Sequence, residues 1–133
     1  MLQRQALRGR RILVIEDEWP LAAFIRDSLE DAGAVVIGLA GDCREAVNIL
    51  DGTGVEAVIL DLHLQGGTSH MLAHLLEMRG VPYLFATGYA LDAAPISPGV
   101  MVLKKPFTDT DLLAAVETLF DGPTVGQHLK ALS

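Results

Sequence analysis

The sequence predicts an α/β fold: a doubly wound, five-stranded parallel sheet with helices on both faces. Three observations carry this. Ile12-Leu13-Val14-Ile15 and Val58-Ile59-Leu60 are unbroken apolar runs, the pattern of strands buried on both faces. Both runs stop abruptly in acid, at Glu16-Asp17-Glu18 and at Asp61. Strand-like runs also alternate with helical periodicity along the whole chain, which implies right-handed crossovers and a ligand crevice outside the carboxyl ends of the strands.

Each element follows in order. Residues 11–16 read as the first strand, and Pro20 suits the first turn of a helix that carries Leu21, Ile25 and Leu29 on one face and stops at Gly33. Residues 34–40 are a second apolar run. Asp42 with Glu45 three residues later is a capping-box start for a helix with Ala46, Val47, Ile49 and Leu50, ended by the turn Asp51-Gly52-Thr53-Gly54. Residues 55–61 are the third strand, Gly66-Gly67 a loop, and 69–78 a helix with Leu72, Leu75 and Leu76 inward, closed by Gly80. Residues 83–87 and 99–103 are the fourth and fifth strands. Between them Pro95 and Pro98 leave room for at most a short helix. Thr108 with Asp111 caps a last helix that runs to Phe120.

A chain of 133 residues is long enough to bury one core without a disulfide, and Cys43 has no partner cysteine. The expected organisation is a leader over 1–10, one domain over 11–120 and a tail over 121–133. No apolar stretch approaches the roughly 18 residues of a membrane span, so the reading is soluble and cytoplasmic, without a membrane partner. The net charge of −7 disfavours nucleic acid, which needs clustered cations. Arg4, Arg8, Arg10 and Arg11 crowd the start and read as a solvated leader.

Acids that end two neighbouring strands meet in one crevice, where they cannot all stay ionised without a cation between them. Glu16, Asp17 and Asp61 are therefore candidate ligands, and oxygen donors beside a phosphate suit Mg²⁺. Thr87 ends the fourth strand with a hydroxyl and Lys105 ends the fifth with an ammonium, both suited to phosphate oxygens, whereas Lys104 alternates away. A carboxylate nucleophile, a metal, a hydroxyl and a lysine are the parts needed to accept a phosphoryl group.

With Glu16-Asp17, Asp61, Thr87 and Lys105-Pro106-Phe107 in order at the ends of predicted strands, the chain resembles the receiver domain of bacterial two-component response regulators from Arg11 to Phe120. The resemblance implies a flavodoxin-like (CheY-like) fold. It also implies a non-enzymatic phosphorelay role in which Asp61 takes a phosphoryl group from a histidine kinase or a histidine phosphotransfer protein. It further implies that Asp17, Asp61 and the backbone carbonyl of His63 hold Mg²⁺, with Glu16 acting directly or through water. Thr87 and Lys105 are then expected to contact the phosphoryl oxygens, and output is expected through a downstream protein partner without an output domain.

Several positions depart from the family pattern. Phe85-Ala86-Thr87-Gly88-Tyr89 resembles the signature of a receiver subgroup that is often single-domain and includes regulators of general stress responses. The aromatic residue usual three positions before the lysine is Val102, which leaves Tyr89 as the alternative switch candidate, and Gln65 stands where proline is common. Two other functions stay open: a phosphate sink competing for a shared kinase, and a Mg²⁺-dependent phosphohydrolase of the haloacid dehalogenase type. The second expects Asp-x-Asp after the first strand, which Glu16-Asp17-Glu18 does not supply. His70 and His74 have a metal-ligand spacing without a third ligand, and Cys43 at a helix start is a candidate for a lowered pKa.

Overall fold

The computed structural model describes residues 5–52, 54–64, 67–88 and 100–120. Gln65, Tyr89, the segment with Pro95 and Pro98, and the tail over 121–133 lie outside the described residues. A short 3₁₀ turn (Gln5–Leu7) leads into β1 (Arg11–Ile15), α1 (Trp19–Asp31), β2 (Val35–Ala40), α2 (Cys43–Gly52) and β3 (Ala57–Asp61). A small hairpin, β4 (His63–Leu64) with β5 (Gly67–Thr68), precedes α3 (His70–Arg79), β6 (Tyr83–Thr87), β7 (Met101–Lys104) and α4 (Asp109–Phe120).

The main sheet has the order β2-β1-β3-β6-β7, all parallel. From β1 the chain steps outward to β2 and then crosses back to β3, so the reversal of direction falls between β1 and β3. The central strands are apolar throughout because both of their faces are covered. Ile12, Val14, Ala57, Ile59, Leu84 and Ala86 pack beneath α1 and α4, while Leu13, Ile15, Val58, Leu60 and Phe85 pack beneath α2 and α3. The edge strands β2 and β7 are only half-buried.

Local signals set the ends of the elements. Gly33 (φ 101°) and Gly80 (φ 70°) take the left-handed conformation that closes α1 and α3, which a residue with a Cβ adopts only at a cost. At α2 the Asp42 carboxylate accepts from Glu45 N at 2.9 Å, and Glu45 reaches back to Gly41 N at 2.9 Å. At α4 Thr108 Oγ1 accepts from Asp111 N at 3.1 Å and the Asp111 carboxylate accepts from Thr108 N at 3.2 Å, a complete capping box. The expected turn at Asp51-Gly52 is instead the last part of α2. Ile37 is an extra residue in β2, since Ile12 pairs with Val36 and Leu13 with Gly38. The Arg-rich start is not simply solvated: Leu7 is fully buried beneath α4, and Arg10 lies 4.4 Å from the centre of the Phe120 ring while its guanidinium pairs with Glu56 at 3.1 Å.

Candidate phosphoacceptor site

The two-residue alternation along strands explains which side chains meet. Ile12 and Val14 point beneath α1 and α4, so Glu16, the next residue of that parity, projects on the same side at the strand end. Ala57 and Ile59 lead in the same way to Asp61, and Met101 and Leu103 lead to Lys105. The three charged groups therefore converge at the reversal point between β1 and β3. Lys105 Nζ lies 3.0 Å from Glu16 Oε1 and 3.5 Å from Asp61 Oδ2. Glu16 and Asp61 are buried, whereas Asp17 is exposed at the rim.

One carboxylate oxygen from each of Glu16, Asp17 and Asp61 lies within 4.8 Å of the others. Two further contacts fix the acids: Glu18 N donates to Glu16 Oε2 at 3.3 Å, and His63 N donates to Asp61 Oδ1 at 3.1 Å. Against three carboxylates the cluster holds one ammonium. The consequence is visible in Glu16, whose carboxyl is pushed up to about 7 by burial and by the nearby Asp61 charge, with Lys105 only partly offsetting them. Burial opposes the Lys105 charge, but hydrogen bonding to Glu16 and the charges of Asp61 and Glu16 outweigh it and hold its pKa above the ordinary value.

These groups line an open cavity of about 370 Å³ together with Glu18, His63 and Gly88. Excess negative charge, oxygen donors and access from solvent are the conditions a hard divalent cation requires, so the residues present fit such an ion. Beside the cavity a groove of about 390 Å³ is lined by Leu21, Phe24, Pro106 and Phe107 together with Glu18 and Lys105, and Trp19, which follows Glu18 in the chain, is 63% exposed.

Not every expected residue joins the cluster. Lys105 N donates to Thr87 O at 2.8 Å, which ties β6 to the lysine, but the Thr87 side chain is fully buried and is not among the cavity's lining residues. It follows Tyr83 and Phe85 on the opposite face of the sheet. Val102 packs on that face and pairs in register with Phe85. Lys104 is exposed, as the alternation requires. His70 turns its ring edge-on to Phe85 at 6.2 Å while His74 is exposed, so their spacing does not make a common site. The Cys43 thiol is shifted up rather than down, by desolvation and then by the Asp42 charge. One contributor was missed. Ser69 signals a helix start in sequence, yet its hydroxyl bonds the Asp61 and Leu62 carbonyls, and no sequence signal marks that choice.

The response regulator receiver domain model matches residues 12–117. The chain belongs to that family. Its structure is similar to the solution structure of SdrG from Sphingomonas melonis Fr1, with TM-score 0.72 and 33% identity over 85% of this chain and 96% of that one. It is also similar to the BeF3-activated conformation of SdrG from Pseudomonas melonis Fr1, with TM-score 0.71 and 34% identity over 80% of this chain and 95% of that one. Among curated proteins it is 35% identical over 117 residues to the transcriptional regulatory protein TcrA of Mycobacterium tuberculosis, covering 84% of this chain and 46% of TcrA. The chain spans about half the length of the curated relatives it matches. Among the described residues no helix is long and apolar enough to cross a membrane.

Proposed function

We propose that this receiver domain is a Mg²⁺-dependent phosphoacceptor in a two-component phosphorelay, with Asp61 as the modified residue. The observation that carries this reading is the charge excess at the strand ends, three carboxylates against the single ammonium of Lys105. Asp17, Asp61 and the His63 backbone carbonyl would hold the cation, with Glu16 bound directly or through water. When bound, the ion supplies charge neutralisation for the phosphoryl oxygens.

An Asp61 carboxylate oxygen forms the new P–O bond as the P–N bond of a donor phosphohistidine breaks, and its electron pair returns to the imidazole. Lys105, already within ion-pair distance of Asp61, turns its ammonium to the charge on the transferred group. The groove of Leu21, Phe24, Pro106 and Phe107 opens beside this path, a suitable face for the histidine kinase or phosphotransfer protein that donates the group. Alternation along β6 puts Thr87 in phase with Tyr83 and Phe85, so movement of its hydroxyl toward the phosphoryl group displaces the β6 end and Gly88. With Val102 in place of an aromatic residue, that movement and Tyr89 carry the signal to a downstream protein. The Phe85-Ala86-Thr87-Gly88-Tyr89 string supports a role of the stress-response subgroup type.

The test is incubation with acetyl phosphate and Mg²⁺ followed by intact mass measurement. One added phosphate is expected, absent with a chelator and absent in Asp61→Asn. An unchanged mass, with a competent kinase also supplied, would overturn the reading.

A further inference from the structure

Ser69 directly precedes α3, where a serine side chain ordinarily accepts a hydrogen bond from a backbone N–H of the first helical turn. Its hydroxyl makes no such bond. It turns back instead to the end of β3, where the fully buried Oγ donates to the Asp61 carbonyl oxygen and also lies 2.9 Å from the Leu62 carbonyl oxygen. A hydroxyl has one proton, so these two acceptors share it. Ser69 N donates to the Leu62 carbonyl as well, at 3.0 Å, and Ser69 O accepts from Ala73 N at 2.9 Å within α3. The chain between is the β4–β5 hairpin, whose first residue sends His63 N to Asp61 Oδ1 at 3.1 Å. Asp61 is thus held at its main chain by one end of this loop and at its carboxylate by the other.

From this we infer that Ser69 is a positioning residue for Asp61, an inference that rests on the phosphoacceptor reading. The hydroxyl pins the Asp61 peptide, and that peptide sets the direction in which the carboxylate enters the cavity. It also closes the hairpin that carries His63, so the backbone at His63 keeps its place beside the cluster. The same residue begins α3, which links any shift of the Asp61 main chain to the helix start. Both the direction of attack and the placing of the cation pass through this hydroxyl without its touching either one.

The experiment measures the rate of acetyl phosphate labelling by intact mass across a series of Mg²⁺ concentrations, well below the unfolding temperature. Trp19, the one tryptophan of the chain, provides a parallel fluorescence readout of Mg²⁺ binding. In Ser69→Ala the half-saturating Mg²⁺ concentration is expected to rise about ten-fold, as for the loss of a group that orients a ligand. The labelling rate at saturating Mg²⁺ is expected to fall about ten-fold, from misdirection of the nucleophile. Ser69→Thr keeps the hydroxyl and restores both values toward those of the native chain, while Ser69→Val, of the same shape, does not; this pair reads the hydroxyl even if the alanine variant does not fold. Leu119→Ala, a core change in α4 away from the cavity, leaves both values unchanged. Native values in Ser69→Ala, equal values in the Thr and Val variants, or an equal loss in Leu119→Ala would overturn the positioning role while leaving Asp61 as phosphoacceptor. Failure of the native chain itself to be labelled would overturn the phosphoacceptor reading, and this inference with it.

Discussion

Glu16 carries the electrostatic tension of the site in the absence of a divalent ion. Its carboxyl, ordinarily at 4.5, is raised to about 7 first by burial. A raised carboxyl binds more protons folded than unfolded, so its contribution to stability is fully present below about pH 4.5 and is lost as pH rises through about 7. With a chelator present, urea unfolding across that window should show stability falling with pH, and Glu16→Gln should flatten that part of the profile. An identical slope in the variant would show that another group is responsible. Asp61 and Lys105 are each other's context in the same way. The ammonium stands 3.5 Å from Asp61 Oδ2, and the Asp61 carboxylate lines the cavity beside it.

Among the elements, the strands assign the chemistry and the short pieces adjust it. β1, β3 and β7 end on the same side of the sheet because their alternation is in phase, so three residues far apart in sequence meet without any loop having to bring them together. The 3₁₀ turn before β1 contributes stability rather than chemistry. Its Leu7 fills the space beneath α4 next to Leu112, Leu113 and Val116. Leu7→Ala is expected to cost about 2–5 kcal/mol, the range for removing a buried leucine side chain, with no change in Mg²⁺ dependence of labelling. Denaturant unfolding checks the first part and mass spectrometry the second. A cost below about 0.5 kcal/mol, the level of an ordinary surface change, would mean that the turn does not hold the core together.

At the scale of the whole molecule, the cluster exists only when four strands have paired, so a cation bound there stabilises the folded chain and not the unfolded one. Mg²⁺ at one hundred times its dissociation constant should add about 2.7 kcal/mol to the unfolding free energy, and Asp61→Asn should remove most of that gain; unfolding curves with and without chelator decide it. Much of this architecture was legible beforehand, because a buried parallel strand has to be apolar on both faces and an acid at its end has no structural excuse. Ile12–Glu16 and Val58–Asp61 are of that kind, and so are the helix starts at Asp42 and Thr108, whose side chains accept from the backbone N–H three residues on. The β4–β5 hairpin was not legible, since strands of two residues are too short to show a period. Neither was Leu7, which stands in an Arg-rich stretch with no hydrophobic period to mark it. Arg10 brings a last consequence. Stacked on Phe120 and paired with Glu56, it gathers the start of β1, the start of β3 and the end of α4 at the pole of the sheet opposite the cavity. Five strand residues at about 3.3 Å each separate the two poles. The two described ends of the chain, the 3₁₀ turn before β1 and the last turn of α4, therefore meet at the pole that faces away from the carboxylate mouth, which leaves the mouth clear for whatever approaches it.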